Sequence, residues 1–268
     1  MNVVKSEWIK LITTKSVWWT SGLIFAFSLA IAALNGVGVA MMYKELDPND
    51  PVAKAGIREV VDLSRSLTGV LLFGVMIVII QAVINVTAEY GTGTAKTTLL
   101  ATPKRWRVPL AKVLIYGSIT AIVTLLSAVF SVVISRWMMS FQIDDKELLD
   151  KVSLGADNAW TMIFRLVLYA VLVVFVSTGV GYLVRSTAAG IAILLLWDLV
   201  VEGLIVPLVP KIRDWLPPYM PFGNMTEAVS MRDVVDAPWG QTGSVLYFAI
   251  ICLAVFGAGV ALLMKRDA

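Results

Sequence analysis

The chain has 268 residues, of which 58% are hydrophobic and 15% are charged, with a formal net charge of +3 and a mean hydropathy of +0.82. This composition indicates an integral membrane protein. Histidine is absent and Cys252 is the single cysteine, which excludes a disulfide, a thiolate metal cluster and the H-E-x-x-H zinc-protease motif. We expect no catalytic residue, no metal site, no cofactor bound by this chain and no nucleic-acid partner.

Residues 1–16 predict an amphipathic helix that lies in the membrane interface. Apolar side chains recur at i, i+4, i+7 and i+8 and so share one helical face: Val4, Trp8, Leu11 and Ile12. The charged residues Lys5, Glu7 and Lys10 are predicted to point largely away from that face. A cleaved signal peptide is the alternative, but the apolar stretch that follows is longer than the core of such a signal.

Six apolar runs follow, each long enough to provide the ~20 residues that cross a bilayer as a helix. They lie at residues 17–43, 66–88, 109–139, 159–184, 188–209 and 244–264. The connectors between them are too short to form a separate soluble domain. The sequence therefore predicts one all-α transmembrane domain that spans residues 1–268.

The distribution of basic residues predicts the orientation of these spans. An even number of spans places both termini on the same side of the membrane. Lysine and arginine are denser in the short segments on that side than in the longer loops opposite; these segments are residues 1–16, 89–108, 185–187 and 265–268. The positive-inside rule then predicts a multi-pass protein with both termini in the cytoplasm.

The loop at residues 89–108 is the most distinctive connector. Its glycines at 91 and 93 and its proline at 103 bound a segment with room for two helical turns, Thr94–Ala101. We expect this short helix to lie across the membrane face and to dock on a protein partner, and its candidate contact residues are Glu89, Thr94, Lys96, Leu99, Leu100 and Ala101. A basic loop that only sets the topology is the alternative.

The same loop does not fit a nucleotide-binding motif. The letters GTGTAKTT at residues 91–98 resemble part of a Walker loop, but Tyr90 and Ala95 stand where that motif requires glycine. If ATP is used, we expect another polypeptide to bind it.

Charged side chains inside the predicted spans are costly and need a partner or a water-filled cavity. Asp198 and Glu202 are four residues apart in the fifth run and so share a face. Arg165 in the fourth run lies at a compatible depth, so an Arg165–Glu202 ion pair that fixes helix packing is predicted. A role of the acids in substrate binding or gating is the alternative.

A polar stripe follows the second run toward the 89–108 loop. Gln81, Asn85 and Glu89 succeed one another at intervals of four residues. Hydrogen bonding between packed helices is the favoured interpretation, and a polar face along a subunit junction is the alternative.

Residues 207–243 form the last long connector and are rich in proline and aromatic residues. Tryptophan and tyrosine favour the membrane interface. We expect short re-entrant or interfacial helices on the outer side, with an ordinary surface loop as the alternative.

Four stretches resemble the ABC-2 type permeases, the membrane subunits of ATP-binding-cassette exporters, in their actinobacterial form. They read SEWIKLITTKSVWW, TAEYGTGTAKTTLLATPKR, LVRSTAAGIAILLLWDLVVEGL and LLMKRDA, and residues 87–104 within the second are the most specific. The resemblance implies an N-terminal elbow helix at about Asn2–Thr14 and a coupling helix at Thr94–Ala101, with Glu89 at the acidic position of the family.

The resemblance also implies partners and a location. Two permease subunits, as a homodimer or a paralogous heterodimer, would work with two ATPase subunits that bind ATP and magnesium. The complex would lie among the lipids of a bacterial plasma membrane and export drugs, peptides or lipids.

Two other functions fit some of the same residues. An ATP-independent secondary transporter would use Asp198 and Glu202 as proton or ion sites. Such transporters commonly contain internal repeats, and none is evident between residues 1–140 and 141–268. A membrane enzyme that acts on lipids would need a cluster of acids or nucleophiles at one depth, for which only the same two acids are available.

Overall fold

The computed structural model describes residues 3–46, 50–100, 102 and 104–265, and within these ranges the chain is helical with no β-strand. In chain order the helices are α1 (Val3–Thr13), α2 (Lys15–Lys44), α3 (Pro51–Val60), α4 (Ser64–Gly91), α5 (Thr94–Leu100), α6 (Arg107–Ser140), α7 (Lys146–Lys151), α8 (Ala159–Val184), α9 (Thr187–Leu208), α10 (Pro210–Arg213), α11 (Pro221–Val229) and α12 (Gln241–Lys265).

Six of these helices are long and apolar enough to cross a membrane: α2, α4, α6, α8, α9 and α12. The protein is therefore an all-α, multi-pass membrane protein. The spans alternate in direction, so α1, α5, the start of α2 and the end of α12 lie on one side, which we call the terminal side. The connectors that contain α3, α7, α10 and α11 lie on the opposite side, which we call the far side.

The predicted spans are confirmed, and most helices extend beyond the apolar runs by a few polar or interfacial residues. The short helix predicted at residues 94–101 is present as α5, while Ala101 lies outside the described residues. The N-terminal helix is present as α1, and Asn2 likewise lies outside them. The connector at 207–243 contains the predicted short helices, α10 and α11, joined by a 3₁₀ turn at Pro217–Tyr219.

Two far-side helices, α3 and α7, were not predicted from the sequence. Both begin with an aspartate cap: Asp50 accepts hydrogen bonds from the Val52 and Ala53 amides, and Asp145 from those of Glu147 and Leu148. The Asp-Pro pair at the start of α3 and the aspartate ahead of α7 are local signals of a helix start. These two helices could therefore have been predicted from local sequence, but a search for long apolar runs does not detect them.

The spans differ in how deeply they are packed. Helix α8 is the most buried and packs against α4, α6 and α12, while α2 packs along α6. Helix α9 is the least buried span. The core therefore centres on α8, and α9 lies at the edge of the bundle.

Helices α8 and α12 approach each other closely at two glycines. A Cβ atom added to Gly179 would lie 2.7 Å from the Cα of Phe256, and one added to Gly259 would lie 2.6 Å from the carbonyl oxygen of Gly179. Such distances leave no room for a side chain. Backbone contact between small residues is a common way for membrane helices to associate.

Gly179→Ala is therefore expected to lower the stability of the protein by about 1–3 kcal/mol, the usual cost of overpacking. Thermal unfolding of the purified protein in detergent measures the effect. Gly257→Ala is the matched control, because nothing lies within 4 Å of a Cβ atom at that position in α12. Equal melting temperatures for the two variants would contradict the close α8–α12 contact.

Candidate functional site

Four charged side chains on the terminal side form a closed ring of ion pairs, which we call the charge cluster: Glu7, Lys10, Glu89 and Lys112. The Lys112 Nζ atom lies 2.7 Å from Glu7 Oε2 and 2.9 Å from Glu89 Oε1. The Lys10 Nζ atom lies 2.7 Å from Glu7 Oε1 and 3.0 Å from Glu89 Oε1. Two acids and two bases thus balance in charge and connect α1, α4 and α6.

The inner pair of this cluster is almost completely buried. The side chains of Lys112 and Glu7 are 3% and 4% exposed, whereas Lys10 is 42% exposed. Burial acts to raise the pKa of Glu7, but the ammonium groups of Lys112 and Lys10 outweigh it and hold that pKa below its ordinary value. Burial acts to lower the pKa of Lys10, and the carboxylates of Glu7 and Glu89 raise it overall.

The structure corrects the predicted orientation of α1. Glu7 was expected to point away from the apolar face of α1, yet it is buried against α6 together with Leu11, a residue of that face. Val4 and Trp8 are each 44% exposed, and Ile12 is partly buried. The cause is electrostatic, because Glu7 forms an ion pair with Lys112 of α6. The apolar periodicity of α1 contains no information about that lysine.

Lys112 was not identified from the sequence as a site residue. It lies within the third apolar run, residues 109–139. A lone lysine in a membrane span indicates that an acidic partner lies nearby. Its Nζ atom also donates to the Asn85 carbonyl oxygen at 3.1 Å. Lys112 therefore satisfies three acceptors from two other helices.

The polar stripe on α4 makes its contacts within the chain. The Gln81 Nε2 atom donates to Ser16 Oγ at 3.3 Å, and Thr20 Oγ1 donates to Gln81 Oε1 at 3.5 Å. Asn85 contributes its carbonyl oxygen to Lys112. These contacts favour the predicted role in hydrogen bonding between packed helices.

Helix α5 presents two different faces. Ala95 and Leu99 are buried, and Leu99 packs with Val86, Tyr182 and Leu263 from three spans. On the outward face, Thr94, Lys96 and Thr97 are exposed, and Leu100 is 79% exposed. Leu99 was predicted as a partner contact, but its side chain is occupied inside the bundle, so Leu100 is the apolar residue of α5 that a partner can reach.

Helix α5 is also tied to the charge cluster. The Lys10 Nζ atom donates to Thr98 Oγ1 at 3.2 Å, while the same atom contacts both acids of the cluster. Gly93 precedes the helix with a φ of +72°, a conformation that glycine adopts without steric cost. The terminal side is thus one connected unit of α1, α5 and the ends of α4 and α6.

The far side contains a cavity of about 870 Å³ between α9, α11 and their flanking segments. Its lining includes five acidic and two basic side chains: Asp198, Glu202, Asp214, Glu227, Asp233, Arg213 and Arg232. Two of the acids are paired with these bases, Asp214 with Arg213 and Glu227 with Arg232. The predicted intramembrane acids Asp198 and Glu202 therefore line one cavity with an excess of negative charge.

The predicted Arg165–Glu202 ion pair is wrong. Glu202 accepts hydrogen bonds from Trp197 Nε1 at 2.5 Å and from the Gly223 amide at 2.7 Å. Arg165 instead donates from one guanidinium nitrogen to the Ala228 carbonyl oxygen and to Gln241 Oε1, each at 2.7 Å.

Helix α11 explains why the two charges do not meet. It packs against both α8 and α9 and supplies a partner to each of them, the Ala228 carbonyl oxygen to Arg165 and the Gly223 amide to Glu202. Arg165 and Glu202 therefore do not meet although they lie at similar depths, because α11 lies between α8 and α9 on the far side.

Asp198 has no hydrogen bond or ion pair with any residue that the structure describes. It is partly exposed, lines the far-side cavity and lies, with Glu202, in a π-helical stretch of α9 at Leu196–Ile205. π-Helical turns are rare and frequently occur at functional sites. Over the described part of the chain, no three acidic or cysteine side chains are grouped so as to hold a metal ion.

Comparison with known proteins gives one family assignment. A family model described as "Protein of unknown function (DUF2705)" matches residues 12–268, which is nearly the whole chain. No curated protein matches the sequence. The six-span protein with its terminal-side charge cluster and far-side acidic cavity is a member of the DUF2705 family.

Proposed function

We propose that this chain is the membrane-spanning permease subunit of an ABC exporter and is driven by a separate cytosolic ATPase. The observation that supports the proposal most directly is α5, a short helix with an exposed outer face that is packed and hydrogen-bonded to the bundle on its inner face. The resemblance of residues 87–104 to the coupling segment of ABC-2 permeases points to the same role.

The contacts of α5 supply a route by which a partner's motion would reach the spans. Leu99 belongs to one buried apolar cluster with Val86, Tyr182 and Leu263, which lie in α4, α8 and α12. Thr98 contacts Lys10, and through the charge cluster this links α5 to α1 and α6. A displacement of α5 by a partner would thus be transmitted to α1, α4, α6, α8 and α12.

In the proposed mechanism, two copies of the chain assemble with two ATPase subunits, with both termini in the cytoplasm. ATP and magnesium would be held by the ATPase subunits, and their binding would draw those subunits together. That movement is transmitted through α5 and α1, and the pathway between the two permease copies opens toward the far side. No side chain of this protein undergoes a covalent step.

The proposal is tested with Leu100→Asp, which places a charge on the outer face of α5. We expect this variant, expressed in the native host, to lose the ABC ATPase that co-purifies with the native chain, while it inserts and folds normally. Leu100 is 79% exposed, so the substitution does not disturb the core. Val235→Asp is the matched control, since Val235 is 77% exposed on the far side.

The possible outcomes separate the assignment of α5 from the proposed function. If Leu100→Asp binds the ATPase as the native chain does, α5 is not the docking helix. If the native chain itself retains no ATPase under conditions where it is folded, the exporter proposal is wrong.

The unpaired Asp198 in the far-side cavity favours a second candidate function, an ATP-independent transporter that uses Asp198 and Glu202 as proton or ion sites. Reconstituted vesicles distinguish the two proposals. Transport driven by an ion gradient without ATP would support the second candidate, and transport that requires the ATPase and ATP would support the exporter.

A further inference from the structure

A groove lies on the terminal side, between the start of α1 and the first turns of α6. It encloses about 380 Å³ and is lined by Val3, Val4, Trp106, Arg107, Leu110 and Leu114, together with a buried alanine. Leu114 is 61% exposed within a membrane span, so the groove opens toward the lipid.

The groove runs from the membrane boundary into the apolar region. Arg107 is the first residue of α6, and Leu114 follows seven residues later, at a helical rise that corresponds to roughly 10 Å. Trp106, 41% exposed, lies at the same end as Arg107, where amphipathic rings favour the interface. The polar end of the groove thus coincides with lipid headgroups and the apolar end with acyl chains.

The accessible charge around the groove is positive. Lys5, Lys104 and Arg107 are exposed, and none of them forms an ion pair with a residue in the described part of the chain. The flanking segments at residues 3–14 and 104–114 contain one acid, Glu7, which is 4% exposed and bound by Lys112 at 2.7 Å. No accessible carboxylate in these segments therefore competes for the basic side chains.

Arg107 is positioned to bind a phosphate. Its guanidinium lies 5.8 Å from the centre of the Trp106 ring, a contact that orients the planar group and leaves its N–H donors available. Arginine at such a site can bind phosphate oxygens through two parallel hydrogen bonds.

We propose that this groove binds one anionic phospholipid, with an acyl chain along Leu110 and Leu114 and the phosphate at Arg107. The lipid would hold α1 against α6 next to the charge cluster. The proposal does not rest on the exporter function, because it uses only the groove, its charge and the membrane that surrounds it.

Native mass spectrometry of the full chain in detergent tests the proposal, with phosphatidylglycerol and phosphatidylcholine as probes at equal concentration. We expect one phosphatidylglycerol to be retained in preference to phosphatidylcholine. Arg107→Gln should weaken its retention by about fivefold, the factor expected for one basic residue near an anionic membrane surface.

Two further variants separate a built site from general attraction. Lys15→Gln removes the same charge from the same side of the membrane, at an exposed residue outside the groove, and should leave retention unchanged. Leu114→Trp keeps every charge but fills the groove, and it should abolish the preferred binding.

The proposal is overturned if phosphatidylcholine is retained equally well, or if Lys15→Gln weakens binding as much as Arg107→Gln. Retention of phosphatidylglycerol by Leu114→Trp at the native level would also overturn it, because the acyl chain would then lie elsewhere.

Discussion

Lys112→Met is expected to destabilise the protein by about 3–5 kcal/mol, the usual result of breaking a buried ion pair by removing one partner. The side chains of Lys112 and Glu7 are 3% and 4% exposed, so water cannot replace the lost ammonium group, and Lys10 alone is left to neutralise two carboxylates. Methionine is chosen because its length and apolar character preserve the packing around the aliphatic part of lysine. Thermal and denaturant unfolding in detergent measure the loss.

Two further variants show that the cause is charge and not shape. Lys112→Met combined with Glu7→Gln restores the charge balance of the cluster and should recover a large part of the lost stability. Lys10→Met also removes one lysine from the cluster, but Lys10 is 42% exposed, so its effect should be much smaller. Equal losses for Lys112→Met and Lys10→Met would contradict the assigned burial of the inner pair.

The effect should depend on pH in a defined direction. The pKa of Glu7 lies below its ordinary value of 4.5, so Glu7 contributes stability above that pH and loses its contribution as the pH falls through the lowered pKa. The pKa of Lys10 lies above 10.5, so its contribution is present below that pH and is lost as the pH rises further. The stability difference between the native chain and Lys112→Met should thus persist between these limits and shrink in acid.

Asp198→Asn and Glu202→Gln should change stability in opposite directions, although both replace a carboxylate in α9 by an amide. Asp198 has no partner among the described residues, and an unpaired charge in a span is unfavourable. Its neutralisation should therefore stabilise the protein, by less than the about 2.5–3.5 kcal/mol that a charged residue costs at the centre of a span, because Asp198 is only partly buried.

Glu202→Gln should instead destabilise the protein by about 1–3 kcal/mol. The carboxylate of Glu202 accepts one hydrogen bond on each oxygen, from Trp197 and from the Gly223 amide. Glutamine retains one acceptor oxygen and places an NH₂ group against the other donor, which leaves a buried donor unsatisfied.

Melting temperatures of the two variants in the same detergent test both expectations. A loss of stability in Asp198→Asn as large as that in Glu202→Gln would mean that Asp198 has a structural partner. If Asp198→Asn is more stable but transports less in the reconstituted complex, the acid is retained for function, since a side chain that costs stability must be kept for another reason.

The sequence by itself determined the membrane class, the six spans and the short helix α5. Each of these depends on a local property of the chain. A span requires only a sufficient length of apolar residues, and α5 is bounded by Gly93 on one side and Pro103 on the other, although Pro103 lies outside the described residues. The caps Asp50 and Asp145 show that α3 and α7 were available to the same kind of reasoning.

Tertiary structure alone decided which charges meet and which faces remain free. Glu7 and Lys112 are far apart in the chain, and the apolar periodicity of α1 does not indicate which side chain α6 places opposite each turn. Depth in the membrane made Arg165 and Glu202 look compatible, but depth does not specify the direction in which a helix faces, and α11 lies between them. The neighbours Leu99 and Leu100 have the same hydropathy, and only the packing of α5 against α4, α8 and α12 buries the first and exposes the second.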